Sequence, residues 1–142
     1  MSIFKAKVCK DEKFRMKCES EKHTMLLDEP VNSGGTDLAM NPVEALLSSL
    51  GACKCINAWF YAEQFGIRLK DIVFEMEGNI GAMEKVGDCL PLVFKSIHTT
   101  VTVSADNTEE EIKKLIDYIE LRCPVRNTIV NSVPCTSELI IK

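Results

Sequence analysis

Charge is almost absent from residues 42–65, PVEALLSSLGACKCINAWFYAEQF. Only three side chains in this stretch are charged: Glu44, Lys54 and Glu63. Asn41 can cap a helix at its start, Pro42 suits the first helical position, and Glu44 completes a capping box with Asn41. With Gly66 as the stop signal, the stretch predicts one long helix that is apolar nearly all round and therefore buried. A single sheet covers one side of such a helix, so something else must cover the other.

Strand patterns lie on both sides of this helix. Residues 1–28 predict a meander of up to three strands joined by polar turns, and residues 29–40, rich in Pro, Gly, Ser, Asn and Asp, predict a loop. The alternation of apolar and polar residues in 69–80 and 93–104 predicts two half-buried antiparallel strands. Residues 133–142 predict a last strand.

A second helix is predicted over residues 106–121, with Thr108 and Glu111 as its capping box. The Cys123-Pro124 step interrupts it, because Pro disfavours helical geometry in the residue before it and suits a first helical position. A short third helix is therefore expected to begin at Pro124 with Cys123 as its N-cap. The order βββ-α-ββ-α-β and the length of 142 residues predict a single α+β domain.

Charge and hydropathy argue against several kinds of partner. The formal net charge is −4 and no basic run is present, so the sequence lacks the electrostatic footprint of a nucleic-acid-binding protein. The first residues lack the apolar run of a signal peptide, and no apolar stretch reaches the roughly 18 residues of a membrane span. The expected location is the cytoplasm, without membrane or nucleic-acid partners.

The seven cysteines are an odd number without a secretion signal, so a framework of structural disulfides is not expected. Four of them are expected to be small buried apolar side chains: Cys9, Cys18, Cys89 and Cys135. Cys53 and Cys55 lie about 200° apart on the predicted helix, so their thiols point to opposite sides. Cys55 shares a stripe of small residues and is assigned to packing, whereas periodicity leaves the role of Cys53 open.

Cys123 has surroundings that favour a reactive thiol. At a helix N-cap its sulfur faces free backbone N–H groups, with Arg122 and Arg126 close in sequence, and such surroundings lower a thiol pKa from roughly 8.5 to about 3.5–7.5. The expected consequence is a thiolate at neutral pH. Two alternatives stay open at this point: the Cys-Pro step only kinks two packed helices, or a zinc ion binds Cys53, Cys55 and Cys123.

Two motifs are similar to those of a known family. Residues 28–53, DEPVNSGGTDLAMNPVEALLSSLGAC, resemble the GG…NP-x-E-L-L…A-L-G-x-C helix opening of the OsmC/Ohr family, the osmotically inducible protein C and organic hydroperoxide resistance proteins. Residues 122–129, RCPVRNTI, resemble the CPV signature of that family. The resemblance implies one OsmC-like domain over residues 1–142, in an α+β swapped homodimer with antiparallel sheets around two long central helices. The partner chain would then cover the second side of the long helix.

The resemblance also implies a two-cysteine peroxidase. Cys53 matches the cysteine that attacks an organic hydroperoxide and becomes a sulfenic acid, and Cys123 matches the one that condenses with it into a disulfide. An external dithiol restores the pair, and no metal, flavin or nicotinamide cofactor is required. An apolar pocket beside Cys53, with Leu46, Leu50 and Phe60 as candidate lining residues, would favour alkyl or lipid-like peroxides.

In the peroxidase branch of the family an arginine and a glutamate hold and polarise the attacking thiol. The matching candidates are Arg15, the only arginine before Arg68, and Glu44, which a capping role also explains. Val43 stands where the strict branch places its acid, so the chain is more similar to the OsmC-like branch. Arg15 is offset by a few residues from the family's arginine, and this departure makes a non-catalytic or redox-sensing thiol protein the alternative function.

Overall fold

The structure is a computed structural model that describes residues 2–141. The chain forms two compact units, Met1–Ser48 and Ser49–Lys142. Helix α1 (Pro42–Ala62) begins in the first unit and continues into the second. Both sheets are antiparallel, so the chain has the α+β class that the sequence predicts. One domain over the whole chain stays a prediction.

The first unit is a three-stranded meander followed by a loop tied to one buried carboxylate. Its strands pair in chain order: β1 (Lys7–Glu12), β2 (Arg15–Glu19) and β3 (Thr24–Leu27). Asp28 is 1% exposed and accepts a hydrogen bond of 2.5 Å from the Thr36 hydroxyl. It also accepts from three backbone N–H groups: Glu29, Thr36 and Leu38. Burial alone would raise the pKa of Asp28, but these hydrogen bonds outweigh it and hold the pKa well below the usual carboxyl range.

Local sequence signals account for the loop and for the helix that follows it. A Cβ on Gly35 would lie 1.7 Å from the Glu29 carbonyl oxygen, so the loop has no room for a side chain there. The predicted capping box is present at the start of α1. The Asn41 N–H donates to the Glu44 carboxylate and the Glu44 N–H donates to the Asn41 side chain, both at 2.9 Å. The predicted loop and helix start are therefore confirmed.

The second unit packs the end of α1, a long hairpin and α2 around one apolar core. Its further elements are β4 (Leu69–Ala82), β5 (Leu92–Ala105), α2 (Glu109–Arg122) and α3 (Pro124–Val130). The core residues are Ala58, Ala62, Ile67, Ile72, Leu115 and Ile119. Thr108 and Glu111 form the predicted capping box of α2. The two predicted strands of the hairpin and the second and third predicted helices are confirmed.

The expectation that α1 is buried nearly all round is wrong within the single chain. Five residues on one side of the helix are buried: Leu50, Gly51, Lys54, Ala58 and Ala62. On the other side Ile56 is 68% exposed and Phe60 is 74% exposed, with Trp59 beside them. The hairpin and α2 pack against one side of the helix only, which leaves this apolar surface open.

The predicted last strand is also wrong over the described part of the tail. No residue from 131 to 141 joins a strand, and Leu139 is 82% exposed. A strand needs a hydrogen-bonding neighbour, and nothing in residues 2–141 pairs with this segment.

Three cysteines expected in the core are instead exposed, namely Cys9, Cys89 and Cys135, and Cys18 is half-buried. The three exposed cysteines lie on an edge strand, in a loop and in the tail, where few other residues pack against them.

Among the described helices, none combines the length and apolar character needed to span a bilayer.

Candidate active site

Two thiols that are 70 residues apart in sequence lie side by side in the second unit. The Cys123 sulfur donates to the Cys53 sulfur at 3.0 Å. Cys53 lies on α1, and Cys123 lies at the junction of α2 and α3. The Cys123 N–H closes the last turn of α2 on the Ile119 carbonyl oxygen, and the Cys123 sulfur accepts the Arg126 N–H of α3 at 3.4 Å. The predicted N-cap position of Cys123 is therefore confirmed, and it is this cap that directs the sulfur towards α1.

The two sulfurs differ in how solvent reaches them. Cys123 is fully buried, whereas Cys53 is half-buried and lines an open depression of about 640 Å³ between α1 and the start of α3. The other lining residues are Ser49, Ala52, Ile56, Asn57, Arg122, Pro124 and Val125. A molecule in this depression meets the Cys53 sulfur first, with Cys123 behind it.

The pocket lining expected from the sequence is wrong. None of Leu46, Leu50 and Phe60 lines the depression. Leu50 is 4% exposed because it belongs to the buried side of α1, and Phe60 is largely exposed but is not among the lining residues. The α1 part of the observed lining comes from Ser49, Ala52, Ile56 and Asn57, which lie within one turn of Cys53. The rest comes from the segment around Cys123-Pro124. The apolar members of the lining are Ala52, Ile56, Pro124 and Val125.

The expectation of a Cys123 thiolate at neutral pH is also wrong. Burial raises the pKa of the Cys123 thiol, and the hydrogen bond that this thiol donates to Cys53 raises it further. The Arg126 N–H at the helix N-terminus lowers the pKa, but its effect is smaller. Cys123 is therefore held as a protonated donor, and the Cys53 sulfur is the acceptor of the pair.

Asn57 is a residue of the site that the sequence did not reveal. Its side-chain nitrogen is 2.7 Å from the Cys53 carbonyl oxygen and 3.7 Å from the Cys53 sulfur. The available signal was an asparagine in the middle of a helix, one turn after a cysteine, since asparagine is a poor helix former. Two hydrogen-bond donors, from Asn57 and from Cys123, thus converge on one sulfur.

A charged network ties together the elements that carry the two sulfurs. The Lys54 ammonium, whose side chain is 5% exposed, contacts the Glu120 carboxylate at 2.7 Å and donates to the Thr99 hydroxyl at 3.0 Å. The Arg126 guanidinium contacts the same carboxylate at 3.0 Å. Lys54 follows Cys53 directly, and Glu120 and Arg126 lie three residues before and after Cys123. The network therefore links α1, β5, α2 and α3 beside the thiol pair.

The remaining site candidates have other surroundings. Cys55 packs against the apolar core, as predicted. Arg15 lies in the first unit, where it contacts Asp11 at 2.7 Å and Glu12 at 3.1 Å and donates to the Thr36 hydroxyl. Glu44, also in the first unit, makes the capping contacts of α1 described above. A catalytic role for Arg15 or Glu44 stays a prediction. Over residues 2–141 no three His, Cys, Asp or Glu side chains cluster as metal ligands, which leaves the zinc alternative without support.

Comparisons with known proteins agree between sequence and fold. The family model described as OsmC-like protein matches residues 34–138. Two curated relatives are named hydroperoxide reductase: that of Mycoplasma pneumoniae is 29% identical over 94 residues, and that of Mycoplasma genitalium is 29% identical over 90 residues. The matches cover 66% and 63% of this chain, and 64% and 62% of the relatives. The chain therefore spans less than two thirds of the length of the curated relatives it matches.

The fold is shared with solved structures over most of the chain. The crystal structure of an OsmC-like protein from Mycoplasma pneumoniae matches with a TM-score of 0.77 at 24% identity, covering 92% of this chain and 89% of that chain. A likeness at this identity shows the fold, which over residues 2–141 is mixed α+β with three α-helices and antiparallel sheets.

Proposed function

The chain belongs to the family of OsmC-like proteins, and from this premise we propose that it is a cysteine-based hydroperoxide reductase acting on organic hydroperoxides. The observation that carries the proposal is the thiol pair: two sulfurs 3.0 Å apart, of which only Cys53 lines the open depression. Relatives named hydroperoxide reductase support the same reaction class.

The first step is attack by the Cys53 sulfur on the peroxide. The thiolate attacks the terminal oxygen of the hydroperoxide, the O–O bond breaks, and the alkoxide leaves and takes up a proton to become an alcohol. The sulfur keeps the hydroxyl group and becomes a sulfenic acid. The apolar lining from Ala52, Ile56 and Val125 favours an alkyl group over the small polar hydrogen peroxide.

The second step uses Cys123 as the resolving thiol. The Cys123 sulfur attacks the Cys53 sulfur, an S–S bond forms, and the hydroxyl group leaves with the Cys123 proton as water. The short distance between the sulfurs makes this step local, because no element has to move far. An external dithiol then reduces the disulfide by exchange and is itself oxidised to a disulfide. The proposed location is the cytoplasm, a reducing compartment that supplies such dithiols.

We further propose that the active form is a swapped homodimer. The open apolar side of α1, which includes Ile56, Trp59 and Phe60, is a surface that a second copy would cover. The tail near Leu139 has apolar side chains in solvent and lacks a strand neighbour among the described residues, as expected if a partner chain supplies one. Sedimentation velocity should show a dimer that Phe60→Arg weakens. A native protein that is monomeric and fully active would contradict the proposal.

The reaction is tested with purified protein, cumene hydroperoxide and a small dithiol. Steady consumption of peroxide is expected for the native chain and for Cys55→Ser, and none for Cys53→Ser. Cys55 is a matched control because it lies two residues away on the same helix and faces the core. In Cys123→Ser, peroxide added without dithiol should leave a sulfenic acid on Cys53 that dimedone traps, whereas the native chain should form the Cys53–Cys123 disulfide. Undiminished turnover in Cys53→Ser would end the proposal.

A second candidate function is a redox-sensing thiol protein that forms the disulfide without sustained turnover. The observation that favours it is the pairing of Arg15 with Asp11 and Glu12. These carboxylates compensate the charge of the arginine that is the candidate for polarising the attacking thiol. This candidate predicts a Cys53–Cys123 disulfide after one equivalent of peroxide and no further consumption when dithiol is added. Many turnovers per chain would exclude it.

A further inference from the structure

Asn57 offers more hydrogen-bonding capacity to Cys53 than a helix requires. A side-chain amide has two N–H groups. One donates to the Cys53 carbonyl oxygen at 2.7 Å, and the nitrogen is also 3.7 Å from the Cys53 sulfur, within reach of a sulfur acceptor. Asn57 is half-buried and lines the same depression as Cys53. The amide and the sulfur therefore share one wall of the site.

A purely local explanation accounts for only half of this geometry. Side chains in helices often donate to the carbonyl oxygen one turn back, and Thr128 does so to Pro124 at 2.9 Å. In Asn57 the same nitrogen that donates to the carbonyl oxygen one turn back also lies within hydrogen-bonding reach of a sulfur. The second N–H, directed at the sulfur, is what the local explanation leaves out.

We infer that Asn57 is a further residue of the site, which donates a hydrogen bond to the Cys53 sulfur and stabilises its negative charge. The inference rests on the proposed function, in which Cys53 is the attacking sulfur. A hydrogen bond to an ionised acceptor is stronger than one to its neutral form, so the donor favours the thiolate. Asn57 donates from the solvent side, while Cys123 donates from the buried side at 3.0 Å. The two donors hold the charged sulfur at the mouth of the depression.

The test measures the reactivity of Cys53 itself, so that it does not depend on peroxide turnover. The reduced full chain is alkylated with iodoacetamide at a series of pH values, and the rate at Cys53 is followed by peptide mass spectrometry. Asn57→Leu removes both N–H groups at similar volume, and Asn57→Asp removes them at the same shape. Thr128→Val is the matched control, since it deletes a bond of the same helical type in α3.

The expected result is a rate at pH 7 about tenfold lower in Asn57→Leu, as for the loss of one hydrogen bond to a charged group, and lower still in Asn57→Asp, which also places a negative charge beside the sulfur. The profiles of both variants should move to higher pH and meet the native curve where the thiolate is fully formed. Thr128→Val should follow the native profile. A profile of Asn57→Leu that superimposes on the native one would overturn the inference, as would a uniform loss at every pH. If instead the alkylation result holds and no peroxide is consumed, the proposed function fails while the hydrogen bond stands.

Discussion

The buried charge of Lys54 makes the thiol site sensitive to the loss of one carboxylate. Lys54 is 5% exposed in its side chain and has two contacts, with Glu120 at 2.7 Å and with Thr99 at 3.0 Å. Glu120→Gln leaves this ammonium buried with only neutral partners. Removing one partner of a buried pair costs about 3–5 kcal/mol. Because Glu120 is 29% exposed, some solvent reaches the site, and we expect a loss at the lower end, about 3 kcal/mol.

The opposite substitution should cost less. Lys54→Met removes the buried charge and keeps an unbranched chain of similar length, while Glu120 retains Arg126 at 3.0 Å and partial solvation. We expect a loss of about 1 kcal/mol, close to that of one hydrogen bond. The double variant Lys54→Met with Glu120→Gln should then be more stable than Glu120→Gln alone, since no buried charge is left uncompensated.

Urea unfolding of the four proteins measures these free energies directly, with a common m-value as the check on two-state behaviour. The same variants can be scored for the rate of Cys53–Cys123 disulfide formation after a stoichiometric dose of peroxide, because the network joins the elements that carry the two sulfurs. Equal losses for Lys54→Met and Glu120→Gln, or a double variant less stable than either, would refute the reasoning.

Three further outcomes follow from the described contacts. In the reduced protein at pH 8, iodoacetamide should label Cys53 well before Cys123, because burial raises the pKa of the Cys123 thiol and keeps the reagent away from it. Peptide mapping over a time course measures the two rates, and equal labelling would contradict the prediction. Gly35→Ala should lower the free energy of unfolding in urea by more than about 3 kcal/mol, since its Cβ meets the Glu29 carbonyl oxygen. Gly87→Ala is the control: this glycine has a positive φ and open space around it, so the loss should be about 1–2 kcal/mol. Comparable losses for the two variants would show that the backbone around Gly35 can shift to make room for a Cβ. Asp28→Asn should lower the free energy of unfolding at neutral pH. Because the folded pKa of Asp28 lies below its unfolded value of about 3.9, the difference in this free energy between the variant and the native chain should shrink as pH falls below about 4. A difference that is independent of pH would show that the loop does not require the charge.

Elements whose signals are local followed the sequence closely. The capping boxes at Asn41 and Thr108 and the break before Pro124 each depend on residues within three positions of one another. The hairpin strands β4 and β5 follow the alternation of side chains along one strand. The tail is the exception, because an apolar β-type segment forms a strand only where another strand edge is free to pair with it.

The site divides in the same way. The spacing of Cys53 and Cys55 on a helix was enough to send their sulfurs to different sides, and the CPV segment was enough to make Cys123 a cap. Residue order could not show that Cys123 is shut off from solvent while Cys53 lines a depression, that Lys54 is buried against Glu120, or that Leu50 faces the core. Burial away from water keeps Cys123 protonated and makes the loss of the partner of Lys54 costly. That burial depends on contacts between residues up to 70 positions apart in the sequence. Helix periodicity gives direction around an axis, whereas only the packing of neighbouring elements determines which direction is dry.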